Sequence, residues 1–208
     1  MSVPHDHAER PARVLAILAT IGIAIVIVVL VRSPSANDRP EWVKIAPPLE
    51  VPMHPWQWIV IHHSGTPGGD TGSIDNAHLK DRGWEGIGYH FVIGNGRPME
   101  RGRIEATWRW RCQYHGAHAG SMPAQAAYNQ DGIGICVIGD YQTSQLDAFV
   151  EERVARLCAL LIQHVPTLSE QHIVGHRDIR QTACPGANVD INRIRYLVRS
   201  QLALTAAK

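Results

Sequence analysis

Residues 14–31, VLAILATIGIAIVIVVLV, are eighteen consecutive residues without a charge. As a helix, at about 1.5 Å rise per residue, they span about 27 Å, close to the roughly 30 Å hydrocarbon thickness of a bilayer. No polar stripe interrupts the run, so such a helix has no face to turn toward water. The apolar core of a cleaved signal is usually shorter, about 7–15 residues, and precedes a small-residue cleavage site. Here Arg32 follows at once and no A-x-A site appears. The run reads as an uncleaved single-pass anchor, ahead of a cleaved signal or a buried core helix. Arg10 and Arg13 precede it and Arg32, Arg39 and Lys44 follow, so the basic residues do not decide its orientation.

The anchor divides the chain into residues 1–13, a linker over 32–55 and a domain over 56–208. The linker carries six prolines, Pro34, Pro40, Pro47, Pro48, Pro52 and Pro55. Proline at this density opposes helix and central strand and predicts an extended tether of up to about 75 Å. The remaining stretch, about 150 residues, is the length of one domain. Twenty basic and nineteen acidic side chains give a net charge of +1, which argues against nucleic acid as a partner. Four cysteines are too few for a disulfide framework. Histidine is the abundant type, with twelve in the chain and ten of them between His54 and His176. That directs attention to metal or acid–base chemistry.

Within the domain, Trp58–His62 (WIVIH) reads as a buried strand and Ser64–Gly72 as a loop. Ser73 is a plausible cap for a helix through Arg82. Tyr89–Ile93 is a strand, Asn95-Gly96 a hairpin signal, and 98–103 the expected return. Gly134–Ile138 is a further strand. Leu146, Phe149, Val150, Val154, Leu157 and Leu161 follow helical spacing, with Ser144 as cap. Ile173–Gly175 is a short strand, and Ile191, Ile194, Val198 and Leu202 mark a final helix. The alternation predicts an α/β fold with a central mixed β-sheet flanked by α-helices. Trp108 and Trp110 alternate as in a strand and suit either a sugar-lined groove or core packing.

Two distant places put metal-binding types at strand ends: His62-His63, and His176 with Cys184 eight residues later. Neither HExxH nor CxxC occurs. Three nitrogen or sulfur ligands and an open fourth position make a catalytic zinc pattern. A strand-end histidine satisfied by hydrogen bonds, with a buried thiol, is the alternative.

Five blocks carry a resemblance: IVIHHSGT at 59–66, GWEGIGYHFVIGNG at 83–96, GAHAG at 116–120, YNQDGIGICVIGDY at 128–141 and GHRDIRQTACPG at 175–186. Together they resemble the zinc-dependent N-acetylmuramoyl-L-alanine amidases of the type-2 amidase and peptidoglycan-recognition-protein superfamily, which includes phage lysozyme-amidases. The resemblance implies Zn2+ held by His62, His176 and Cys184, with His63 the lesser choice for the first ligand. It implies that Tyr89 and Thr182 act in catalysis. Some relatives carry lysine at the position of Thr182, so this chain lacks that charge. His118 and Asn129 are weaker candidates for contacts to substrate, with structural roles as the alternative. His90 is expected to be structural.

The implied activity is hydrolysis of the amide between N-acetylmuramic acid and L-alanine in peptidoglycan. A non-catalytic peptidoglycan receptor and an amidase acting on soluble muropeptides are the alternatives. Cys184 speaks against the receptor, because non-lytic members typically lose that ligand. Because peptidoglycan lies outside the cytoplasmic membrane, residues 1–13 are expected to be cytoplasmic and the domain periplasmic or otherwise extracytoplasmic.

Overall fold

The computed structural model describes residues 41–206. The N-terminal segment 1–13 and the expected anchor at 14–31 lie outside the described residues. Among the described residues no helix is long and apolar enough to cross a membrane.

The chain enters through a short helix, α1 (Glu41–Ile45), and continues into β1 (Trp58–His63) and α2 (Thr71–Lys80). Strands β2 (Phe91–Ile93) and β3 (Ile104–Ala106) follow, then helices α3 (Trp108–Arg111) and α4 (Pro123–Gln130). Strand β4 (Gly132–Val137) leads to the long helix α5 (Ala148–His164). Strand β5 (Ile173–Gly175), the short α6 (His176–Ile179) and α7 (Ile191–Ala206) complete the fold. The five strands form one sheet in the order β3-β2-β4-β1-β5. Only β3 runs antiparallel to its neighbour. The expected mixed sheet flanked by helices is therefore present.

The sheet has two different faces because strand side chains alternate. Ile59, Ile61, Phe91, Ile93, Ile133, Ile135 and Val137 point to one side. There they join Val154, Leu157 and Leu161 of α5 and Ile194 and Val198 of α7 in the main core. On the other side the register sets Val60 against Gly134 and His62 against Cys136. The run WIVIHH thus serves two purposes. Its odd positions pack the core, and its even positions lead to His62.

Several local expectations are corrected. The proline-rich segment is not an extended tether throughout. Ile45 is buried, and Trp42 packs on the main core. Trp42 also stacks on His164 at 3.9 Å between ring centroids. Glu41 bonds Arg153 and Arg156 of α5, and Trp110 Nε1–H donates to the Ile45 carbonyl at 2.6 Å. Residues 98–103 hold a turn at Arg101 and Gly102 and an isolated bridge from Pro98 to Gly69, and the returning strand begins at Ile104. The cap of α2 is Asp70, with Ser73 completing the reciprocal bond as the third helical residue. Asp147 rather than Ser144 caps α5. Trp108 and Trp110 lie on a helix, where Trp110 is fully buried and Trp108 stays at the surface.

Candidate metal centre

His62, His176 and Cys184 come together although 122 residues separate the first from the last. One ligand atom from each lies within 4.8 Å of the others. His62 ends the buried run of β1, His176 opens α6 directly after β5, and Cys184 lies in the loop that follows. Arg177 braces that loop by donating to the carbonyls of Gly186 and Val189, each at 2.6 Å.

The hydrogen bonds define which ring nitrogens face the centre. A carbonyl only accepts, so the 3.0 Å contact from His118 Nε2 to the Gly132 oxygen places a proton on Nε2. His118 Nδ1 is then an acceptor, and His62 Nε2–H donates to it at 3.1 Å. His62 Nδ1 is left with its lone pair toward Cys184 Sγ, 3.6 Å away. In the same way His176 Nε2–H donates to the Ala119 carbonyl at 3.2 Å, which frees its Nδ1. Burial, reinforced by the nearby histidines, pushes the pKa of His62 well down, and burial also lowers that of His176. Both shifts favour the neutral ring that metal ligation requires.

A direct test of fit comes from the donor atoms. Around zinc, with bonds of about 2.0 Å to nitrogen and 2.3 Å to sulfur, a tetrahedral N···S edge is about 3.5 Å. The His62–Cys184 separation, 3.6 Å, is close to that value. Burial pushes the Cys184 thiol up to about 11, so a thiolate at this position calls for a bound cation. The His63 backbone N–H points at the sulfur from 3.4 Å. The two imidazoles and one thiol would suit zinc, and His176 and Cys184 open onto a groove.

That groove has a volume of about 850 Å³. Tyr89, Thr182, His176 and Cys184 line it. The Tyr89 ring centroid is 5.0 Å from that of His62. Burial, with Cys136 and Cys184 nearby, pushes the phenol well above its ordinary pKa, so it remains a proton donor. The Thr182 hydroxyl oxygen accepts from the Cys184 N–H at 3.3 Å, which leaves its hydrogen available to a ligand. Arg82 and Arg180 also line the groove, and none of its lining residues is acidic.

His118 and Asn129, the weaker candidates for substrate contacts, both line the groove and both also bond within the protein. His118 uses both ring nitrogens, as above. Asn129 Oδ1 accepts from the backbone N–H groups of His118 and Ala119, each at 2.8 Å. Its Nδ2 donates to Gly120 at 2.7 Å. One carboxamide thus holds the loop that orients both histidine ligands. His90 is structural, with Nδ1 accepting from Gly134 and Nε2–H donating to Tyr114. His63 turns its Nδ1 to the Tyr141 N–H at 3.1 Å and lies outside the ligand cluster. Sequence reasoning missed the groove-lining roles of His78, Arg82, Trp84, His115 and Arg180. Trp84 and Arg180 lie in the blocks quoted above, but only the fold shows that these side chains line a common groove.

The sequence profile of the Amidase_2 family, N-acetylmuramoyl-L-alanine amidase, matches residues 52–187. The pig protein named N-acetylmuramoyl-L-alanine amidase is 30% identical over 156 residues, covering 67% of this chain and 22% of that protein. Peptidoglycan-recognition protein LB of Drosophila melanogaster is 27% identical over 162 residues, covering 73% of this chain and 64% of that one. The chain thus spans less than two thirds of the length of either relative. Among solved structures, the N-acetylmuramoyl-L-alanine amidase LysC from Clostridium intestinale matches with a TM-score of 0.58 and 26% identity, over 72% of this chain and 91% of that one. A mutant of Drosophila PGRP-LB in complex with tracheal cytotoxin matches with a TM-score of 0.52 and 27% identity, over 67% of this chain and 80% of that one.

Proposed function

Because the chain belongs to the N-acetylmuramoyl-L-alanine amidase family, we propose that it is a zinc-dependent hydrolase of the amide between N-acetylmuramic acid and L-alanine in peptidoglycan. The observation that carries the reading is the convergence of His62, His176 and Cys184 beneath an open groove. The chemistry supplied at such a centre is Lewis-acid polarisation of an amide carbonyl and activation of water near neutral pH.

The chain's own residues account for the rest. His118 and the Ala119 carbonyl hold the two ligand rings in one tautomer, so no ring flip is needed when substrate arrives. The Tyr89 and Thr182 hydroxyls are neutral donors on the groove wall, suited to the negative charge that develops on the carbonyl oxygen. Arg82 and Arg180, in a groove without carboxylates, favour a stem peptide that carries acidic groups. The anchor at 14–31 fits the same reading, with the domain held on the extracytoplasmic side of the cytoplasmic membrane.

The test uses the full chain, purified in detergent and incubated with peptidoglycan in the presence and absence of a chelator. Release of stem peptides with a free N-terminal alanine, abolished by chelator and restored by zinc, is expected. Peptidoglycan binding without release in the presence of zinc would instead establish the receptor reading.

A further inference from the structure

Five aromatic side chains are exposed among the described residues: Trp84, Trp108, Tyr114, Phe149 and Tyr196. Trp84 lines the groove, and Tyr114 and Trp108 adjoin it through His115. Trp84 and His115 form part of the groove wall. Tyr114 lies against His115, with centroids 4.3 Å apart, and Trp108 against Tyr114 at 5.4 Å. Trp108 Nε1 stands 3.6 Å from the point where a side chain on Gly86 would begin, so Trp108 also lies close to the backbone at Gly86. A rim of successive ring contacts, from His115 through Tyr114 to Trp108, therefore leads out of the groove.

The rim is fixed from below. The Arg109 side chain is only 1% exposed, and its guanidinium lies 4.5 Å from the Trp108 ring centroid and 5.6 Å from that of Tyr114. The same guanidinium donates to the carbonyls of Ile87 and His115, each at 2.6 Å. Two loops and two rings are thus clamped to one buried cation. Trp108 and Tyr114 remain 38% and 39% exposed on this support. Preorganised rings with an open side suit a ligand that has flat apolar faces and polar edges. Arg82, over the Trp84 ring at 5.1 Å, and the exposed Glu85 interrupt the rim with charge, unlike the apolar face a second copy of the chain needs.

We propose that this rim is a glycan-binding platform. It stacks against the saccharide backbone of the polymer while the groove holds the peptide branch. The choice of ligand rests on the amidase reading, since peptidoglycan joins both chemistries in one molecule and the rim is continuous with the groove.

The test measures two things on the full chain and its variants. Tryptophan fluorescence reports binding of peptide-free glycan strands of alternating N-acetylglucosamine and N-acetylmuramic acid. Kinetics compare polymeric peptidoglycan with a single-disaccharide muramyl peptide. Trp108→Leu still covers Arg109 but has no ring to stack. It is expected to weaken glycan binding about fivefold or more, and to raise KM for the polymer while leaving turnover of the small substrate unchanged. Trp108→Phe is expected to restore most of the binding. Glycan affinity within about twofold of the parent in Trp108→Leu overturns the proposal. So does equal slowing on both substrates, or a dimeric parent that Trp108→Leu converts to monomer. Glycan binding that depends on Trp108 in a chain that releases no alanine terminus sustains the platform and sinks the amidase reading instead.

Discussion

His118 is only 6% exposed, at the wall of the groove, and retention of metal is expected to depend on it. His118→Phe removes the acceptor for His62 Nε2–H and frees that ring to change tautomer. Zinc affinity, measured by competition with a chromophoric chelator, is expected to fall about 10–100-fold. His118→Gln keeps an acceptor and is expected to recover part of the loss; unchanged affinity in His118→Phe removes the positioning role. Cys184→Ser is expected to lose stoichiometric zinc while keeping its circular dichroism spectrum. One zinc per chain together with full activity in that variant would exclude Cys184 as a ligand. The three proposed ligands were legible in sequence because each sits in a short, distinctive block. The duties of His118 and Asn129 were not, because a partner far away in sequence determines whether a polar side chain meets solvent or a neighbouring backbone.

Elements constrain the centre through close approach. A side chain added at Gly134 on β4 would begin 2.4 Å from the His118 ring, nearer than atoms can pack, so the strand is bare there to let the imidazole lie against it. Gly134→Ala is expected to cost about 1–3 kcal/mol in chemical denaturation and to weaken zinc binding along with it. A second expectation concerns α1. Trp42→Ala removes the partner of His164 and part of the core cover, and is expected to lower stability by about 3 kcal/mol; stability within error of the parent would mean that α1 docks without contributing. The long periodic helices and the apolar strands were readable because each repeats its signal over many residues. Helices α1 and α3 were not. Five and four residues hold too little periodicity, and their form follows from contacts such as Trp110 to the Ile45 carbonyl.

For the whole molecule, acidity is the informative variable. Burial and the nearby Arg82 lower His78 from 6.5 to about 4, and its Nδ1 accepts from the Gly88 N–H at 2.9 Å. The unfolded chain therefore takes up this proton near pH 6.5, and the folded chain only near pH 4. Stability is expected to fall as pH drops through that window, by up to about 1.4 kcal/mol per pH unit from this group. Urea titrations at several pH values check the slope, and His78→Gln is expected to reduce it without abolishing it, because burial lowers His118 to about 4 as well; an unaltered slope excludes a contribution from His78.

The docking of α1 also determines how far the domain can travel. Folded structure begins by Glu41, so between the proposed anchor and the domain lie only residues 32–40. At no more than about 3.6 Å each, these nine residues reach about 30 Å, less than half the length suggested by the whole proline-rich stretch. On the proposed reading, with 14–31 as an anchor, the domain would be kept within that reach of the bilayer and would meet only the nearest layer of wall.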